Sequence, residues 1–318
     1  MNKPKKKPSK ESVILLIISC GIFTSFFTYM AITNEISLLR PRWNVPVIKM
    51  ANETFNIEAR SDLPLIDVQE FRANITSNYG NFVLEIDQIT HDGSNIMATA
   101  AFPVGVVNNT LYDLEIVING QRDVQEHAVK VVRQYKKDFK AIFWADMQFG
   151  YSDEYEDTWE LSYETIPEMV KQANLHDPEF IILLGDITET ALKSEYEYIY
   201  QQLMRLEVPI FAGTGNHDYF GTAEYKRWCY YYNFTFDYGP DYHFSYIDTG
   251  MNLDGLRDHY FNWLASDLEA HADVPVKIVG GHAPPFECRG DDIVDINRNF
   301  GGDNEEFVEL CNQYNVSA

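Results

Sequence analysis

Residues Phe180–Glu189 read FIILLGDITE, and residues Val208–Asp218 read VPIFAGTGNHD. Both stretches have the same build. A short apolar run reaches a glycine, and residues able to bind a cation or move a proton follow. An apolar run without polar alternation predicts a strand buried on both faces. Ser194–Leu206, between the two, reads as a helix. Upstream, Lys140–Ala145 (KAIFWA) is another compact apolar strand. A helix is predicted to begin near Pro167, a residue suited to the first helical position. Its Ile166, Met169, Val170 and Ala173 share one face, and Asp177-Pro178 ends it. Downstream, strands are predicted at His243–Ile247 and Val276–Val279, with helices over about 257–271 and 304–314. Alternating strands and helices imply a layered α/β domain over residues 137–318.

In such domains the reactive groups lie in loops beyond the carboxyl ends of the strands. Four loops qualify. Asp146 and Gln148 follow KAIFWA, Asp186 follows FIILL, and Asn216-His217-Asp218 follow Val208–Ala212. His282 follows Val276–Val279 within GGHAPP. Taken singly, Asp146 also reads as a strand-end cap, Asp186 as a helix N-cap and His282 as a structural histidine. An acid at the lip of a buried strand is costly unless a cation offsets its charge. Asn216 offers a carbonyl oxygen, and His217 offers either a ligand nitrogen or an acid titrating near neutrality. Asp218 is placed to orient that imidazole.

GDITE, GNHD and GGHAPP, in this order, resemble the calcineurin-like metallophosphoesterase superfamily, nearest its purple acid phosphatase-like branch. The resemblance covers about residues 138–318. It implies a four-layer α/β/β/α sandwich holding two metal ions (divalent or trivalent Mn, Fe or Zn) and a phosphate ester substrate. Carried over residue by residue, Asp146 and Gln148 bind the first ion and Asp186 bridges both. Asn216 and His282 bind the second. His217 protonates the leaving group or stabilises the attacked phosphorus centre, oriented by Asp218. Two such ions clamp the phosphate and activate a bridging water.

Two departures from the family pattern stand out. Gln148 occupies the place of the family's first histidine, and its amide oxygen is a harder ligand than imidazole, favouring manganese or iron over zinc. No Gly-His-x-His motif occurs, so each metal lacks one expected histidine; a chain continuing past Ala318 is the expected explanation, against a protein that lacks the motif. A catalytically inactive fragment, or a degenerate metallophosphoesterase-like binding protein, is the alternative to an active hydrolase.

Before residue 137 the pattern is different. Residues 63–135 read as a small β-sandwich: Val83, Leu84, Ile86 and Ile89 form one run, Leu114, Ile116 and Ile118 alternate, and Asn119-Gly120 is a hairpin turn. Residues 33–62, with Pro41 and Pro46, read as a stalk. Residues 1–12 hold five lysines and residues 13–32 no charge. Twenty uncharged residues span about 30 Å, so a transmembrane anchor with a cytoplasmic tail is expected, placing the body outside the cytosol. A cleaved signal peptide, or lipidation at Cys20, competes with this reading.

The whole chain has 318 residues with 25 basic and 48 acidic groups, a net charge of −23. This balance argues against a nucleic-acid binder. Sequons at Asn52, Asn74, Asn108, Asn233 and Asn315 suit a glycoprotein if the chain is secretory, though any one of them also arises by chance. Cys288–Cys311 is a candidate disulfide. Arg257, Arg289 and Arg298 are candidate substrate contacts, and the loops Gly150–Glu160 and Glu287–Gly302 are where specificity is expected.

Overall fold

The computed structural model describes residues 35–62, 64, 67–150, 158–249, 258–286 and 304–318. The tail at residues 1–12, the span expected at residues 13–32, Cys20, Cys288, Arg257, Arg289 and Arg298 lie outside the described residues, as does most of the two expected specificity loops. No helix among the described residues is long and apolar enough to cross a membrane. Cys229 and Cys311 are free thiols.

The first half is all β. Its strands are β1 (Ile36–Arg40), β2 (Val47–Met50), β3 (Thr54–Ser61), β4 (Phe71–Ser77), β5 (Gly80–Val83), β6 (Glu85–Asp92), β7 (Asn95–Ala101), β8 (Thr110–Ile118) and β9 (Gln121–Val132). They form two sheets, ordered β1-β3-β7-β6 and β2-β9-β8-β4-β5. Alternation along β8 puts Tyr112, Leu114, Ile116 and Ile118 into the core between the sheets, where they meet Leu38, Ile57 and Ala98. The β8–β9 turn has Asn119 at φ 50° and Gly120 at φ 81°. Two left-handed residues match the twist of a tight hairpin. The Asn119 side chain fixes it further by accepting from Gln69 N at 2.9 Å and donating to Asp67 O at 2.9 Å.

The expected stalk is not one. Residues 36–61 supply three of these strands, and residues 42–48 tie the sandwich to the second half. Trp43 joins the helix-side core of that half, and Val45 and Ile48 join its inter-sheet core. Trp43 Nε1 donates to Trp228 O at 2.7 Å, and Ala212 N donates to Asn44 O at 2.9 Å. Prolines 41 and 46 punctuate strands of only five and four residues, too short to show a clear period.

The second half is layered. Strands β10 (Ala141–Trp144), β11 (Phe180–Leu183) and β12 (Ile210–Ala212) form a parallel sheet in that order. Crossovers run through helices α1 (Thr158–His176) and α2 (Lys193–Leu203). Helix α3 (Thr222–Trp228) then precedes a second sheet of β13 (Phe234–Tyr238), β14 (Tyr242–Tyr246) and β15 (Val276–Gly280), with α4 (Asp258–Ala270) between β14 and β15 and α5 (Asn304–Gln313) after them. Strand alternation explains the layering. Ile181 and Leu183 face Ile166, Val170 and Ile199 of the helices, whereas Phe180 and Ile182 face Phe236 and Phe244 of the other sheet. Phe211 stacks on Phe236 with ring centroids 3.5 Å apart. Each such ring removed from water stabilises the fold by roughly 1.5–3 kcal/mol. Leu264 and Leu268 of α4 and Leu310 of α5 cover the second sheet's far side, against Val279.

The helix expected to begin near Pro167 starts at Thr158 and holds Pro167 in its interior. A proline there leaves the carbonyl four residues back without its N–H. That carbonyl, Tyr163 O, accepts instead from Tyr198 Oη at 3.4 Å. Ile166, Val170 and Ala173 are buried on one face, as their spacing predicts.

Candidate metal centre

The four loops converge at the carboxyl ends of β10, β11, β12 and β15. They do so because two of them touch backbone to backbone. A Cβ on Gly185 would lie 2.5 Å from Gly215 N, and one on Gly215 would lie 2.0 Å from Asp186 Oδ1. Gly185 also has φ 96°, the left-handed region that glycine enters at little cost. Three non-glycine residues beside it share that region: Asp146 at φ 51°, Gln148 at φ 39° and Asp186 at φ 50°. Each costs about 1 kcal/mol or more, the kind of strain that clusters at working sites.

Asp186 is the centre of the arrangement and is 1% exposed. Its Oδ1 accepts from His217 N at 2.8 Å. Its Oδ2 lies 3.3 Å from Gln148 Nε2, 3.4 Å from His282 Nε2 and 3.9 Å from His217 Nε2. Asp146, Asp186 and His282 each turn one ligand atom into a group whose atoms lie within 4.8 Å of one another.

His282 shows what this group suits. Its Nδ1 is 2.9 Å from the Leu184 carbonyl oxygen, which only accepts, so Nδ1 carries a proton. Its Nε2 therefore faces Asn216 Oδ1 at 3.1 Å and Asp186 Oδ2. Burial alone would lower the His282 pKa, but Asp186 and then Asp146 outweigh it and raise it. These atoms meet around a positive charge, which a proton on Nε2 supplies when no cation is bound. A divalent cation with mixed oxygen and nitrogen ligands takes that place, and the backbone bond at Nδ1 is the second-sphere support such ligands usually have. The donor set thus fits a metal.

Of the residues singled out in the sequence, Asp146, Gln148, Asp186, Asn216, His217 and His282 come together here. Gln148 stands beside Asp186 and donates to it through its amide nitrogen. Asp218 does not do what was expected of it. Its carboxylate is fully buried and does not hold the His217 ring. Instead Oδ2 accepts from Gly215 N at 2.9 Å and Ile187 N at 3.3 Å, and Oδ1 accepts from Tyr196 Oη at 3.0 Å. It staples the GDITE loop to the GNHD loop. Burial pushes its pKa up to about 6, with the Gly215 N–H opposing and the charge of Asp186 adding. The partner of His217 is Glu189, whose carbonyl oxygen lies 2.7 Å from Nδ1. A carbonyl partner lies in the backbone, and sequence composition does not signal it.

The second sheet braces the site from behind. Tyr246 Oη donates to Thr214 O at 2.7 Å, and Asp248 Oδ1 accepts from Thr214 Oγ1 at 3.2 Å and bonds Tyr219 Oη through Oδ2. A Cβ on Gly213 would enter the Tyr246 ring. Another His/Asp group, Asp237, His243 and His271, sits at the start of β14, the end remote from the metal centre. Both nitrogens of His243 face carboxylates, Asp237 at 2.7 Å and Asp267 at 2.9 Å. Both ring nitrogens are thus taken up by carboxylates, whereas His282 keeps one on a carbonyl and turns the other to the ligand group.

The layers define an α/β domain whose strand-end side chains form a candidate metal-binding group. A family model described as calcineurin-like phosphoesterase matches residues 139–318, and the chain belongs to that family. No curated protein matches the chain. Among solved structures, an amylomaltase from Corynebacterium glutamicum aligns at 12% identity with a TM-score of 0.22, over 56% of this chain and 24% of that one. The chain thus spans about a quarter of that structure, and the likeness bears on neither fold nor function.

Proposed function

We propose that this chain is a membrane-anchored, extracytoplasmic phosphoesterase that hydrolyses phosphate mono- or diesters with two bound metal ions. The observation that carries the reading is the convergence of Asp146, Asp186 and His282, with Asn216 on His282, beyond the carboxyl ends of neighbouring strands. Asp146, Gln148 and Asp186 would hold one ion, and Asp186, Asn216 and His282 the other. Bound, the ions supply Lewis acidity and a nucleophile from water at neutral pH.

The rest is done by the chain. His217 holds its Nδ1 proton on Glu189 O and presents Nε2 to the site. Hydrolysis joins a water oxygen to phosphorus, and the ester P–O bond breaks with its electron pair on the alcohol oxygen. His217, as imidazolium, gives its Nε2 proton to that oxygen, a contribution of about 10²–10⁴-fold for one positioned acid. The proton released by the attacking water restores the balance. The anchor and the location rest on the lysines of residues 1–12 and the uncharged residues 13–32.

Metal analysis of the full chain, with turnover of p-nitrophenyl phosphate and bis(p-nitrophenyl) phosphate, tests the proposal. Hydrolysis lost on chelation and restored by Mn, Fe or Zn is the expected result. A metal-free protein inert on both esters would favour a degenerate binding protein, the reading that Gln148 supports.

A further inference from the structure

Two large apolar side chains stand in water on the two loops that meet at His217. Phe220 is 69% exposed and Leu192 is 57% exposed. Phe220 lies in the short 3₁₀ turn His217–Gly221, and its ring centroid is 5.2 Å from that of His217 at an interplanar angle of 71°. Leu192 belongs to the neighbouring loop. The two loops are held together twice: by the contact of His217 Nδ1 with Glu189 O, and at Gly221, where a Cβ would lie 2.5 Å from Ala191 O. The residue before Gly221 and the residue after Ala191 therefore share one rim of the site.

Folding explains neither side chain. Leu192 is the N-cap of α2, a position where a polar side chain is favoured, and Glu195 takes up the free N–H groups there, including Leu192 N at 3.0 Å. Phe220 leaves most of its ring in solvent, where an aromatic residue contributes little to a core. An exposed apolar patch bordering a polar, acidic site marks a binding surface.

We propose that Phe220 and Leu192 form the subsite for the organic group of the ester, so that the preferred substrates are phosphate esters of aromatic or bulky apolar alcohols. The inference rests on the hydrolase reading above and deepens it. The phosphoryl group goes to the acidic, metal-binding centre. The alcohol oxygen leaves on the His217 side, and the group it carries comes against the Phe220 ring. Aromatic contact of this kind favours a flat or bulky apolar surface.

The test compares kcat/KM for 1-naphthyl phosphate and ethyl phosphate, using the Mn²⁺-loaded full chain. The two esters differ in intrinsic reactivity, but that difference cancels when each variant is divided by wild type. Phe220→Ala and Leu192→Ser are each expected to lower the naphthyl-to-ethyl ratio about five- to tenfold, chiefly through KM for the naphthyl ester. Phe220→Leu, which keeps apolar bulk and guards against a folding artefact, is expected to lower it less. Equal slowing of both esters in Phe220→Ala would make Phe220 a support for the His217 ring and overturn the inference. An unchanged ratio in both variants would overturn it as well. Failure of the wild-type chain to hydrolyse either ester would overturn the hydrolase reading itself, a result distinct from the other two.

Discussion

His217 Nδ1 lies 2.7 Å from the carbonyl oxygen of Glu189, 28 positions earlier in the chain. Because a carbonyl only accepts, this contact fixes the proton on Nδ1 and turns Nε2 toward Asp186. The ring is set by backbone, and no ligand of the metal group depends on it. His217→Ala is therefore expected to keep the fold and most of the metal while kcat falls about 10²–10⁴-fold. Circular dichroism, metal analysis and p-nitrophenyl phosphate turnover on the same preparation check this. Unchanged turnover would remove His217 from the mechanism.

Asp218 predicts the opposite pattern. Its carboxylate accepts from Gly215 N, Ile187 N and Tyr196 Oη with no exposure to solvent. Asn in its place turns an NH₂ group toward donors, and each buried bond so lost costs about 1–3 kcal/mol. Asp218→Asn should lower urea-unfolding stability by a few kcal/mol, with metal affinity and turnover falling together. A variant of full stability that loses turnover alone would return Asp218 to a direct role on His217.

Gly215 leaves no room for a side chain. A Cβ there would sit 2.0 Å from Asp186 Oδ1 and 2.3 Å from Asp186 N. Asp186 N is backbone, so the GDITE loop must move. Gly215→Ala is expected to weaken metal binding at least tenfold, read by titration with Mn²⁺. Gly120→Ala is the control: it has open space around it, so its strain at φ 81° should cost stability without touching metal affinity.

The sequence made the second half legible because its strands are uninterrupted apolar runs that end on glycine and reactive side chains. FIILL and VPIFA announce strand and loop at once. The first half was harder to read. Trp43, Val45 and Ile48 lie among prolines and polar residues, and their partners, such as Trp228 and Ala212, lie far along the chain. The site divided the same way. Asp146, Asp186, Asn216, His217 and His282 are visible as side chains at strand ends. Glu189 and Leu184 act through carbonyls, which every residue has. Asp218 was misassigned because adjacency to His217 in the chain suggested contact, whereas the 3₁₀ turn at His217–Gly221 sends the two side chains to different partners.

His243 offers a test of the fold that is independent of the metal centre. Its ring is 1% exposed, yet it lies between Asp237 and Asp267. Burial alone would lower its pKa; the hydrogen bonds and charges of the two aspartates outweigh burial and raise it to about 9. The folded state thus holds a proton that the unfolded chain releases near pH 6.5. Its contribution to stability is complete below that pH and is lost as pH rises through about 9. Asp237 is 45% exposed, so solvent screens part of the attraction. The expected size is accordingly about 1–2 kcal/mol, below the full value of the shift. Urea unfolding of wild type and His243→Gln between pH 6 and 10 measures it. Wild type should lose its advantage over the variant across that interval, and parallel curves would mean that His243 is neutral in the fold.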